Sequence, residues 1–300
     1  MTPLVLDIPE IKKIIRKDRI RVIDGGARGA VFKPFDKAEK RLLTIIRFEP
    51  DEEAELSLNE NEISVPRALW KNDEHISLNI AVDPSTSSVL PFNKELQQYI
   101  DPFLELRKTA RQVKVKAIAI DTFVKEQDIP SIDFIKLDIH GAEYEALQGS
   151  KDSLPSTLGL QVESWILPVH KGQKLRAHVE SLLYDALFYV FEEFHYPMWG
   201  RNTKKYKKLQ PALLDTLFLK DPLIDHNINT EIQALKLIAI SDLYGHYGYV
   251  EQLTHYFLHK KILSKLIGEQ ILKHLEDNCT PVSPSFVKAF IKKWARKFLS

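Results

Sequence analysis

Residues 132–150, IDFIKLDIHGAEYEALQGS, constrain the fold most tightly. An apolar run, broken by Lys136 and Asp138, passes through His140-Gly141 and continues as a helical pattern over 142–148, closed by Gly149. Side chains alternate faces along a strand, so Lys136, Asp138 and His140 project to one side. A buried charge is costly unless it is paired or used. A strand that feeds straight into a helix is the repeating unit of an α/β sheet, and such sheets bind ligands at the carboxyl ends of their strands. The run is therefore expected to form the floor of an active site. The competing interpretation of this stretch alone is a strand edge with a solvated Lys–Asp pair.

The preceding chain supplies matching pieces. Ile8, Ile11, Ile14 and Ile15 recur at helical spacing, with Pro9 in the first turn. The β-branched run 20–23 then stops on DGGARGA (24–30), where glycines let backbone N–H groups approach a polar ligand. Residues 42–48 read as a second strand ending in Glu49-Pro50-Asp51. The interval from Asp24 to Glu49 is near the roughly 20 residues expected when an acid after the second strand takes a ribose diol. Residues 51–60 read as a helix whose early glutamates suit its dipole. A third strand is expected over 63–69 and an extra strand or hairpin arm over 76–82. DPSTSSVLPFN (83–93) reads as a loop and a candidate lid on the substrate side. Residues 112–120 alternate strictly, and Asp121 stands where it would cap the next helix.

After the central run, 159–163 is a strand, 174–187 a helix, and 188–194 and 215–220 the closing strands. The basic, aromatic-bearing stretch YPMWGRNTKKYKKLQP between the last two reads as a long loop. The alternation predicts a mostly parallel sheet with helices on both faces over about residues 20–220. Beyond Pro222 only helical patterns remain, such as 232–243 and 258–275. The expected division is a catalytic domain over 1–222 and an all-α extension of three to five helices over 223–300. Its last helix would carry Phe286, Phe290, Trp294 and Phe298, flanked by Lys288, Lys292, Lys293, Arg296 and Lys297. That stripe fits core packing or a homodimer contact, and its basic flanks also suit weak contact with a membrane surface.

Bulk properties narrow the setting. The formal net charge is +1, so no global field recruits nucleic acid. The one cysteine, Cys279, allows neither an internal disulfide nor a cysteine zinc site, which fits the reducing cytoplasm. The N-terminus lacks the pattern of a signal peptide, and no stretch of about 18 apolar residues predicts a membrane span.

Six motifs, in order, resemble the FkbM family of S-adenosylmethionine-dependent methyltransferases: DGGARGA, RFEPDEE, RALW, IAIDTF, DFIKLDIHGAEYEAL and LLDTLFLKD. The chain departs from the common family form at Arg28 and Ala30, where that form has Asn and a further Gly. It departs again at His140, where the family usually has an acidic, amide or similar polar residue. The resemblance implies a Rossmann-like class I methyltransferase sheet of seven strands, the last antiparallel. It implies S-adenosyl-L-methionine as cofactor. Asp24, Gly25, Gly26 and Ala27 should face the methionine moiety. Glu49, with Pro50 beside it, should hold the ribose hydroxyls. Ala68 and Leu69 should lie along the adenine, and Asp138 near the amino group and the transferred methyl.

The function expected from the resemblance is O-methylation of a sugar or glycan hydroxyl in surface-polysaccharide or glycoside biosynthesis. Asp138 or His140 would take the hydroxyl proton. Glu143, Glu163 and His170 would contact the substrate. Asp138, His140 and Glu163 could converge, but their spacing matches no recognised ligand pattern, so no metal site is expected. One alternative enzyme is a nucleotide-sugar or dinucleotide oxidoreductase. The lack of a full Gly-x-Gly-x-x-Gly after the first strand argues against it. Outside enzymology, the alternative is a non-catalytic scaffold with a methyltransferase-like fold.

Overall fold

Alternating apolar side chains on the strands decide how the layers stack. A computed structural model of the chain describes residues 4–54, 58–99, 104–195, 200–203 and 206–279. The strands are β1 (Ile20–Gly25), β2 (Leu43–Phe48), β3 (Glu62–Val65), β4 (Ala68–Leu69), β5 (His75–Ala81), β6 (Thr109–Ile118), β7 (Phe134–Leu137), β8 (Gly159–Trp165), β9 (Phe188–His195), β10 (Gly200–Thr203), β11 (Tyr206–Pro211) and β12 (Leu213–Lys220). The helices are α1 (Pro9–Lys17), α2 (Lys94–Gln97), α3 (Leu104–Arg107), α4 (Ile120–Glu126), α5 (Glu143–Gln148), α6 (Arg176–Asp185), α7 (Pro222–Asp225), α8 (Glu231–Leu243), α9 (Tyr247–His259) and α10 (Lys265–Asn278).

Seven strands form the main sheet in the order β3-β2-β1-β7-β8-β12-β9. The neighbours from β3 to β8 pair in parallel, whereas β12 is antiparallel to both β8 and β9. The expected sheet, with its last strand reversed, is the one observed. Register explains its two faces. Val22 lies beside Ile45 and Phe134, and the next row sets Ile23 beside Ile46 and Ile135. The first row joins a cluster with Ile11 and Ile15 of α1, Leu235 and Ile238 of α8, Phe257 of α9 and Ile271 of α10. The second row joins Phe123 of α4, Leu147 of α5 and Leu183 of α6. The helices after Pro222 thus share the sheet's own core. Burial of each Leu or Ile on α8 contributes about 1.5–3 kcal/mol. Lys236 on this buried helix is paired: Nζ donates to Asp133 at 2.9 Å and Asp18 at 3.1 Å.

Several local expectations are overturned, each for a physical reason. The described part of 51–60 holds no helix. Its acids bind the local backbone instead, Glu49 accepting from the Asp51 N–H at 2.9 Å and Asp51 from the Glu53 N–H at 3.3 Å. The run 63–69 breaks at Pro66, which cannot donate to a ladder. β4 therefore leaves the main sheet and pairs with β6, which also pairs with β5. Asp121 does not cap its own helix: its carboxylate accepts from the backbone of Asp152 and Ser153, both at 2.9 Å. The pattern 258–275 is interrupted where Lys261 takes φ +57° and closes α9. The basic stretch between β9 and β12 contains a hairpin, β10 paired with β11. The aromatic stripe from Phe286 to Phe298 lies outside the described residues. Among the described residues, no helix is long and apolar enough to cross a membrane.

Candidate active site

Three carboxylates stand at the carboxyl ends of adjacent parallel strands. Asp24 is on β1, Glu49 follows β2, and Asp138 follows β7. The turn after β1 requires its second glycine. Gly26 has φ +78°, and a Cβ there would lie 1.9 Å from the Asp138 carbonyl oxygen. The Gly26 and Ala27 N–H groups donate to the Phe48 carbonyl at 3.1 and 3.2 Å. The fully buried Arg47 of β2 clamps the rest of the turn, donating to the carbonyls of Ala27 (3.3 Å), Gly29 (2.9 Å) and Ala30 (3.3 Å).

The charges of the central run are paired at this strand end. Lys136 Nζ lies 3.4 Å from Asp24 Oδ1 and 3.3 Å from Asp138 Oδ2. Burial draws the Lys136 pKa down, but Asp138 and Asp24 outweigh it and hold the ammonium charged. Burial pushes Asp24 up against the pull of Lys136 and Arg47. Its Oδ1 is buried and faces the Lys136 ammonium. For Asp138, burial also acts upward, but Lys136 and His140 prevail and leave it below its ordinary value. Glu49 is raised by burial, opposed by the Asp51 N–H and by Arg28. Arg28 reaches Glu49 Oε2 at 3.3 Å and Asp51 Oδ2 at 2.5 Å.

A cavity of about 60 Å³ lies over these strand ends. Gly26, Glu49, Pro50, Ala68, Leu69 and Asp138 all line it. Asp24, Gly25 and Ala27 are not among its lining residues. Residues 83–93 fold over the opposite side, where Pro84, Ser85, Ser87, Ser88 and Val89 face the cavity.

His140 also lines this cavity, in the left-handed region at φ +53°. Such a conformation costs on the order of 1–3 kcal/mol in a residue with a side chain. Loop 83–93 fixes it from two directions. Ser88 Oγ donates to the His140 carbonyl at 2.7 Å, and His140 Nε2 meets the Ser85 carbonyl at 2.7 Å. A carbonyl can only accept, so Nε2 carries the proton. Nδ1 lies 3.8 Å from Glu163 Oε2, which accepts from Trp165 Nε1 at 3.0 Å. Burial lowers the His140 pKa against the attraction of Asp138. Glu163 is pushed well up by burial and then by Asp138, Glu143 and Asp215.

The remaining expected substrate residues are placed elsewhere. Glu143 turns back on its own loop, accepting from the Ile139 N–H at 3.1 Å and the Gly141 N–H at 3.0 Å, and burial pushes it up to about 8. His170 lines a second, much smaller cavity of about 10 Å³ with His140, Trp165, Phe92 and Arg107. Burial, with a smaller push from His140, lowers His170 to about 3.

Residues 25–198 match the family model described as the methyltransferase FkbM domain. The chain belongs to the FkbM methyltransferase family. A crystal structure of methyltransferase FkbM from Methylobacillus flagellatus KT is similar to this chain at 14% identity and a TM-score of 0.37. That match covers 66% of this chain and 44% of the other, so the chain spans under half of that protein's length. No curated protein matches the chain.

In this member of the FkbM family, Arg28 and Arg47 stand at the candidate site without having been expected there, whereas the serines that face the cavity belong to the loop 83–93 expected as a lid. A signal for Arg47 existed: a charge at the inner end of the apolar run LLTIIRF. Arg28 stood out as a departure from the family form, but its contact with Glu49 needs the folded turn.

Proposed function

We propose that the chain is an S-adenosylmethionine-dependent O-methyltransferase acting on a hydroxyl of a sugar or glycoconjugate. The observation that carries this is the convergence of Asp24, Glu49 and Asp138 at three adjacent strand ends beside one cavity. S-adenosylmethionine, when bound, supplies a methyl group on a positively charged sulfur. The residues fit it. Asp138 lines the cavity with a side chain that is 40% exposed and held below its ordinary pKa, suited to a cationic amino group. The bare backbone at Gly26 leaves no side chain in the way. Glu49 can exchange Arg28 for two ribose hydroxyls. Ala68, Leu69, Phe48 and Leu78 give an apolar wall for adenine. In this proposal residues 1–222 carry the catalytic unit, and 223–300 cover one face of its sheet.

The acceptor hydroxyl enters beside His140, which lines the strand-end cavity under Ser85 and Ser88. Holding the hydroxyl in line with the methyl contributes up to about 7–11 kcal/mol. Removing the hydroxyl proton adds about 10²–10⁴-fold. Asp138, tied to Lys136 and held below its ordinary pKa, is the weaker base. His140, neutral near pH 7 with Nδ1 unprotonated, is the stronger one. Transfer of labelled methyl to a panel of glycosides tests the proposal. The expected result is label on an acceptor oxygen, with turnover about 10²-fold slower in His140→Asn. Cofactor binding with no transfer to any hydroxyl would refute O-methylation, and unchanged turnover in the variant would remove His140 as base.

A further inference from the structure

We propose that Asp138, His140 and Glu163 form a divalent-cation site at the border between the two cavities. Each offers one ligand atom, and these atoms lie within 4.8 Å of one another. They come from separate places in the chain: the end of β7, the left-handed turn after it, and the middle of β8. His140 supplies an independent sign. The Ser85 carbonyl fixes the proton on Nε2, so Nδ1 presents a lone pair. What stands opposite, at 3.8 Å, is Glu163 Oε2, another acceptor. At 3.8 Å the two atoms are too far apart for a hydrogen bond, and a cation between them would bridge both. Nitrogen and oxygen ligands sit about 2.0–2.2 Å from such an ion, so two ligands on one ion stand roughly 3–4 Å apart. The observed separation needs little adjustment.

The groups behind the ligands have the form of a built site. A metal-bound histidine usually donates its other N–H to a carbonyl or carboxylate, as His140 does to Ser85. Trp165 Nε1 holds the Glu163 carboxylate in place. A donor set of two carboxylates and one imidazole, without thiolate, suits Mn²⁺, Mg²⁺ or Zn²⁺. What the ion does rests on the methyltransferase proposal. Next to the acceptor it would lower the pKa of a bound hydroxyl. The proton leaves to solvent, the oxygen forms the new bond to carbon, and the carbon–sulfur electron pair departs with sulfur. With the cation bound at Nδ1, its polarisation of the hydroxyl takes the place of the base role that His140 has in the metal-free enzyme.

Mn²⁺ titrated into the full chain, followed by the electron paramagnetic resonance of the free ion, tests the site. The expected result is uptake of one ion per chain. Glu163→Gln and His140→Asn should each weaken uptake at least about tenfold, a loss that even supporting partners of a metal can cause; Asn tolerates the left-handed turn. Calorimetry with S-adenosylhomocysteine on Glu163→Gln, whose side chain is not part of the cofactor cavity wall, shows that the variant is folded. A free-ion signal unchanged at millimolar Mn²⁺, or uptake by Glu163→Gln equal to the parent, overturns the site. The two proposals fail separately. S-adenosylhomocysteine binding without Mn²⁺ uptake refutes only the cation site, and Mn²⁺ uptake without that binding refutes only the methyltransferase proposal.

Discussion

Lys136→Met removes the cation between Asp24 and Asp138 while keeping most of the side chain's volume. Lys136 is 9% exposed, with both contacts at 3.3–3.4 Å. Breaking a buried pair by removing one partner costs about 3–5 kcal/mol. The Asp138 side chain is 40% exposed and water screens it, so most of the loss comes from Asp24. Asp24 keeps Arg47 at 3.6 Å, which places the loss at the lower end, about 3 kcal/mol. With a urea dependence of roughly 1–3 kcal/mol per molar, the midpoint falls by about 1 M or more. The pH dependence has a definite sign. Asp24 is already raised by burial, and without Lys136 it rises further. A raised carboxyl contributes stability that is present below its unfolded value and lost as pH climbs through its folded value. The variant is therefore closest to the parent near pH 4 and furthest from it at pH 8. A variant midpoint equal to the parent's at pH 8 would refute the pairing as a source of stability.

Three further outcomes follow from the same geometry. Gly26→Ala drives a Cβ against the Asp138 carbonyl, and calorimetry should show cofactor-analogue binding lost or weakened at least about tenfold, the equivalent of 1.4 kcal/mol. Glu143, raised to about 8 by burial, makes the parent lose stability between about pH 4.5 and 8; Glu143→Gln, scanned by thermal unfolding, should flatten that fall. Lys236→Met strands the buried Asp133 and should cost about 3–5 kcal/mol in urea titrations at neutral pH.

Much of the fold was legible because strands and helices bury faces with different periods. The rows Val22/Ile45/Phe134 and Ile23/Ile46/Ile135 are visible as alternation in the sequence, and the DGG turn and Glu49 follow their strands directly. What the periodicity of 231–278 does not say is which surface those helices cover, because any apolar face satisfies the pattern. Residues 51–60 misled for a related reason. Early glutamates suit a helix dipole, but the same carboxylates bind their own backbone and compete with the helix. At the site, Glu143 reads as a charge beside the strand end, yet its carboxylate turns back to the N–H groups of Ile139 and Gly141. The approach of His140 to Glu163 depends on β8 lying next to β7 and on a left-handed turn at a histidine. No local spacing encodes either.

The central claim is that the cavity over β1, β2 and β7 is a cofactor site. Calorimetric titration of the full chain with S-adenosylhomocysteine tests it most directly, with Glu49→Ala in parallel. The account predicts saturable binding to the parent and binding at least about tenfold weaker in the variant, as expected when charge-assisted hydrogen bonds are lost. No heat from the parent at millimolar ligand would contradict it, and so would equal affinity in the two proteins.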